Sequence, residues 1–210
     1  MSFNTASVDL SGSNANELLK HLVEIISSNH FLTKQGLNSE VPFFICPHKP
    51  EQNVEMQRLY KQLFKKLDQK NIKFLEINLY DLCLEVLAKR SLLDRILQKE
   101  TVMPKSKIRE TLRNTLDPAK YLIPAISDKA KVIEFDVLFL TGIGEVFPYI
   151  RSHNVLNNLQ STVKEKPTVM FFPGSYQHEL ATGASLDLFG KLQDDKYYRA
   201  FNILTMKVTS

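Results

Sequence analysis

Short, largely apolar runs alternate along the chain with longer stretches whose apolar residues return every three or four positions. The runs are 41–46, 72–79, 135–140 and 168–172. All four read as strands, and the aromatic and branched content of 135–140 suits one buried on both faces, as in a parallel sheet. Between them, Leu18, Leu22, Ile25 and Ile26 form a helical stripe after a start at Asn14, with Glu17 three residues on. Met56, Leu59, Tyr60, Leu63 and Leu67 form a second stripe. The sharpest pattern spans 135–176. Its first strand stops at Thr141-Gly142-Ile143-Gly144, and Pro148 stands where a helix would begin. Tyr149, Leu156, Leu159 and Val163 share one helical face, Pro167 closes the connection, and a second strand runs to Pro173-Gly174. This is a βαβ unit. Both of its strands release their loops at the same sheet edge, where open α/β folds bind ligands.

Residues 80–130 show no convincing strand. Pro104 and Pro118 divide them, while Ser91 with Asp94 and Asp117-Pro118 mark helix starts, so three or four helices are expected there. Residues 1–13, rich in Ser, Asn and Thr, predict a mobile tail. After Gly174 a polar loop passes through His178 and Gly183, a turn or short helix covers 185–190, and 198–204 reads as a last strand. Residues 14–210 then make one three-layer α/β domain, with a mostly parallel sheet of about five strands and a helical insert at about 80–130. The element order resembles a nucleotide-triphosphatase core that lacks its phosphate loop, a comparison of fold alone.

Composition narrows this only slightly. A chain of 210 residues, 43% hydrophobic and 24% charged, buries enough surface to fold without staples. Cys46 and Cys83 are too few for a disulfide scaffold. No apolar run approaches a membrane span and no charged-then-apolar leader opens the chain, so a cytoplasmic protein without membrane contact is expected. The net charge of +4 permits weak DNA contact without demanding it. The most basic part is the insert, with Lys89, Arg90, Arg95, Lys99, Lys105, Lys107, Arg109 and Arg113. Glu85, Asp94, Glu100 and Glu110 are interleaved at helical spacing, so a solvated face is the expected reading and a nucleic-acid surface the alternative.

The polar residues of interest gather at the edge of the βαβ unit. Glu145, Arg151 and His153 follow its first strand, and Ser175, Tyr176 and His178 follow its second. Arg151, Asn154 and Asn158 share a helical face apart from the apolar one. They either tie the helix to neighbouring loops or line a polar site. Self-sufficient catalytic motifs fail. In 142–147, Phe147 replaces the third glycine of a dinucleotide fingerprint, and Glu145 would repel a pyrophosphate. Gly190-Lys191 is followed by Leu192 where a phosphate loop needs Ser or Thr. His178-Glu179 has Thr182 where a zinc helix needs its second His, and Cys46 with His48 lacks a second ligand pair. Nothing near Ser175 completes a nucleophile elbow. No catalytic residue, metal site or cofactor is assigned.

The stretch Leu140-Thr141-Gly142-Ile143-Gly144-Glu145-Val146-Phe147-Pro148-Tyr149-Ile150-Arg151-Ser152-His153-Asn154-Val155-Leu156-Asn157-Asn158-Leu159 resembles the signature of the BrxB family. Phe171-Phe172-Pro173-Gly174-Ser175-Tyr176, Leu188-Phe189-Gly190 and Asp194-Asp195-Lys196-Tyr197-Tyr198-Arg199-Ala200-Phe201 follow in the order of that family. The resemblance is specific over about 135–203. It implies a component of BREX, a bacterial and archaeal defence system that restricts phage and marks host DNA by methylation. Its companions include a methyltransferase, a large ATPase and the phosphatase-like PglZ, the expected partner. The resemblance adds Tyr198 and Arg199 to Glu145, Arg151, His153, Asn154, Asn158, Ser175 and Tyr176 as an interaction or structural motif, with no catalytic role. A non-catalytic adaptor is therefore expected. A degenerate nucleotide-binding regulator and a DNA-binding accessory are the alternatives.

Overall fold

Alternation along the first strand, Phe43–His48 (β1), creates two hydrophobic cores at once. Phe43 and Ile45 face one, Phe44 and Cys46 the other, and all six strand residues are buried. The computed structural model describes residues 6–33, 43–159, 162–163, 165–179, 183–189, 192–193 and 200–207. Phe74–Asn78 (β2), Val137–Thr141 (β3) and Thr168–Glu179 (β4) repeat the alternation. Leu138, Leu140, Met170 and Phe172 join the first core, while Val137, Phe139, Val169 and Phe171 join the second. Among the described residues the strands order as β2-β3-β4-β1, with Phe201–Asn202 (β7) beyond β1, and every pair is parallel. Gly183–Leu188 (β5) and Leu192–Gln193 (β6) add an antiparallel extension to the far half of β4.

Helices cover both faces, giving three layers. Asn14–Ile26 (α1), the short Asn29–Leu32 (α2) and Asn53–Asp68 (α3) lie over the second core. There Phe139 packs between Phe64 and Phe171 at ring separations of 4.9 and 6.0 Å. Leu79–Lys89 (α4), Ile123–Val132 (α7) and Ser152–Leu159 (α8) supply the first core. Between α4 and α7 lie Leu93–Glu100 (α5) and Lys105–Thr115 (α6), neither of which buries a residue fully. No helix among the described residues is long and apolar enough to cross a membrane.

Several expected boundaries move. The runs 41–46 and 168–172 stop just short of Pro47 and Pro173, yet β1 runs to His48 and β4 to Glu179. A proline loses its donor but keeps its carbonyl, and here Pro47 accepts from the Val8 amide at 3.0 Å and Pro173 from the Phe189 amide at 3.0 Å. The stretch expected as a turn or short helix at 185–190 is largely strand β5. Leu186 and Leu188 are buried on either side of half-buried Asp187, the period of two that a strand needs. The last strand is two residues long before a turn of 3₁₀ helix at Ile203–Thr205. The helix expected from Pro148 to 163 covers Ser152–Leu159 among the described residues. Residues 143–149 form turns that bury Ile143, Val146 and Ile150 without helical hydrogen bonding throughout. Ser91 makes no cap for α5, whereas Asp117 accepts from the Lys120 amide at 2.8 Å as expected.

Residues 6–10, within the stretch read as a mobile tail, pack against the fold. Val8 and Leu10 are 1% and 5% exposed. Val8 bridges to His48 in parallel, and the Lys49 amide donates back to the Val8 carbonyl at 3.2 Å. The Tyr176 amide donates to the Ala6 carbonyl at 2.9 Å.

Candidate functional site

The carboxyl ends of β1, β3 and β4 meet at one edge, together with the start of α3. Thr141 ends β3 and its hydroxyl donates to the Glu76 carboxylate of β2 at 2.9 Å. Gly142 follows with φ of 71°, and a Cβ there would collide with the Asn78 side chain. Asn78 cannot yield, because its Oδ1 caps α4 by accepting from the amides of Tyr80 at 2.9 Å and Asp81 at 3.3 Å. Glycine is thus required where β3 turns past the start of α4.

The loop that follows is braced on two sides. Gln57 of α3 donates to the Glu145 carboxylate at 3.2 Å, and the Tyr149 hydroxyl donates to the Glu145 carbonyl at 3.3 Å. On the other side, a Cβ on Gly144 would lie 3.0 Å from Pro173 and 3.3 Å from Phe189, so the loop sits close against the start of the β4–β5 hairpin. Phe147 meets Phe189 edge to face at 5.9 Å. Gln57, Gly144 and Phe147 thus hold this loop in place. Arg151 itself is exposed, and its carbonyl accepts from the Asn154 amide at 3.1 Å as α8 begins. His153 is half-buried, Asn154 is exposed, and Asn158 donates to the Asn154 carbonyl at 2.6 Å.

Ser175 and Tyr176 are not on a loop but in β4. Ser175 reaches Asp187 across the hairpin at a long 3.5 Å. Tyr176 is 1% exposed, donates its hydroxyl to the Ala200 carbonyl at 2.6 Å, and is pushed up to about 12 by burial. It is a core residue that joins the amino-terminal segment, the hairpin and the end of the chain. Tyr198 and Arg199 lie outside the described residues.

Residue types elsewhere at the edge are held away from reactivity at neutral pH. Burial pushes the thiols of Cys46 and Cys83 up to about 12. The Tyr60 hydroxyl rises to about 12 by burial and by the nearby charges of Glu76, Glu145 and Asp81. His48, which the sequence paired only with Cys46, sits at the centre of the edge. Burial pushes its imidazole down to about 4, against smaller upward pulls from Asn53 and the Cys46 backbone. Its Nε2 is 3.3 Å from Asn53 Oδ1, while buried Nδ1 makes no well-aligned hydrogen bond.

The crevice beside His48, lined also by Asn53, Thr141, Gly142 and Glu145, holds only about 10 Å³, room for a single water molecule. The amino-terminal segment closes in from the β1 side. Asp9 accepts from Lys49 at 2.5 Å and Gln52 at 3.0 Å, and Gln52 accepts from the Leu10 amide at 2.8 Å. Lys49 first, then Ser11 and Gln52, hold the Asp9 carboxyl well below the usual carboxylate range. A larger groove of about 380 Å³ lies alongside, past the end of β2, lined by Tyr60, Glu76, Asn78 and Asp81 with the Glu85–Lys129 ion pair at 2.8 Å. Among the described residues, no group of three or more His, Cys, Asp or Glu side chains is placed to hold a metal ion.

The family model described as BREX protein BrxB matches residues 75–203. A protein of Bacillus cereus (strain H3081.97) named BREX protein BrxB is 35% identical over 194 residues, covering 90% of this chain and 97% of that protein. A protein of the same name from Escherichia coli O9:H4 (strain HS) is 26% identical over 186 residues, 89% of this chain and 90% of that protein. No solved structure matches.

Proposed function

The chain belongs to the BrxB family of BREX proteins, and from that premise we propose that it is a non-catalytic assembly subunit of the system. It acts by binding other BREX proteins, PglZ being the expected partner, through the exposed side of the 144–154 segment. The observation that carries this reading is the packing of the carboxyl edge. The place where an open α/β sheet usually takes a ligand is drawn together by Ala6, Val8, Asp9 and Leu10 around His48. What the family segment leaves outward is a surface, with Glu145, Pro148, Arg151, Asn154 and Asn157 all exposed.

Two measurements test the proposal. Each companion protein, tagged in turn and co-expressed with this chain, is expected to yield at least one stable complex. The purified chain is expected to show no magnesium-dependent ATP turnover above background. Failure to co-purify with every companion contradicts the assembly role. Turnover abolished by Arg151→Ala contradicts its non-catalytic character.

A further inference from the structure

Residues 89–115 carry eight Lys and Arg against three Asp and Glu, a balance of +5 that exceeds the +4 of the whole chain. The remainder of the protein is thus close to neutral, and its excess positive charge resides on α5, α6 and their flanks. The interleaved acids suggested a solvated face whose charge they partly offset. Among the described residues, Asp94, Glu100 and Glu110 form no salt bridge with the cations around them, whereas ion pairs occur elsewhere at Lys49–Asp9, Lys73–Glu134 and Lys129–Glu85. Arg95, Lys99, Lys105, Arg109 and Arg113 are all exposed.

Their spacing is regular. Arg95 and Lys99 share a face of α5, and Lys105, Arg109 and Arg113 share a face of α6, each step rising about 6 Å along its helix. The hairpin turns Leu93, Ile96 and Leu112 toward the core and leaves the cationic rows outside. From this arrangement we propose that the α5–α6 hairpin is a sequence-independent docking surface for the phosphate backbone of double-stranded DNA.

Two features favour a duplex over other polyanions. A tight protein interface is anchored by aromatic or apolar side chains at its centre, and the exposed large apolar residues of the hairpin are only Leu97 and Val102. Single-stranded nucleic acid is held by bases stacked on aromatic rings. The Tyr121 ring is covered by the Arg90 guanidinium at the hairpin's flank, 3.7 Å from its centroid. Regularly spaced cations without stacking platforms or apolar anchors match a backbone of regularly spaced phosphates. This surface lies outside the segment assigned to protein assembly, so the two readings fail separately.

The test is fluorescence anisotropy of the full chain with a labelled duplex of about 25 base pairs, titrated from 50 to 200 mM salt. Five phosphate contacts give a slope of log K against log salt of about −4.5, a loss of roughly 500-fold across that range. Lys105→Gln with Arg109→Gln is expected to bind about tenfold more weakly at 50 mM salt, to flatten the slope by about 1.8, and to melt as wild type does. Lys65→Gln with Lys66→Gln on the exposed face of α3 removes the same charge and is expected to bind as wild type. A wild-type slope shallower than about −2 overturns the proposal. So does equal loss in the two variants, or polyglutamate competing as well as unlabelled duplex at equal charge.

Discussion

His48 shows how a residue with no motif around it can govern the edge. Its sequence context offered only a failed metal pair, because burial beneath the amino-terminal segment depends on contacts with Val8 and Asn53 that no local pattern encodes. The folded imidazole lies at about 4, below the ordinary value of about 6.5. Between these values the unfolded chain binds the additional proton, so stability rises with pH across the window. The contribution is fully present above about pH 6.5 and lost as pH falls to about 4, amounting to about 3 kcal/mol. Urea unfolding from pH 7 to 4.5 should therefore show a marked loss in wild type and a flatter profile in His48→Gln; equal slopes contradict the assignment. Gly142 was visible as a strand stop, but its collision partner Asn78 was not. Gly142→Ala should cost roughly 1–3 kcal/mol through positive φ and displacement of the α4 cap, read as a lower denaturation midpoint. A midpoint equal to wild type contradicts it.

At the scale of elements, the parallel core was legible because strands buried on both faces write themselves as unbroken apolar runs. Phe43-Phe44-Ile45-Cys46 and Val137-Leu138-Phe139-Leu140 needed no further signal. The elements that slipped were those decided by long-range partners. The end of β4 depends on pairing with β5, whose Ser185-Leu186-Asp187-Leu188 alternation was a usable strand signal outweighed by flanking glycines. The helix α8 is short because Ile143, Val146 and Ile150 share a helix-like spacing that the chain satisfies with turns. Residues 6–10 were polar enough to read as a tail, yet Val8 and Leu10 reach the second core. Val8→Ala should cost roughly 2 kcal/mol and accelerate hydrogen exchange at the Lys49 amide, which donates to the Val8 carbonyl. Unchanged protection at Lys49 contradicts the anchoring role of this segment.

For the whole molecule, the candidate site proved half legible. The sequence gathered its candidates at the edge of the βαβ unit spanning 135–176, but it mixed residues of different kinds. Tyr176 is a core tie, Glu145 is a bracket to α3, and Arg151 and Asn154 are exposed. A single sequence cannot separate these, because outward direction at a turn depends on what packs beneath it. The separation gives the proposed assembly role a sharp form, in which the core ties would keep the edge rigid and the exposed residues would meet the partner. The most direct measurement is co-purification of Arg151→Glu with Asn154→Lys alongside its melting curve. The account predicts a loss of stability below about 1 kcal/mol, as for exposed surface changes, together with loss of the companion that wild type retains. A variant that keeps that companion bound as wild type does would contradict the account.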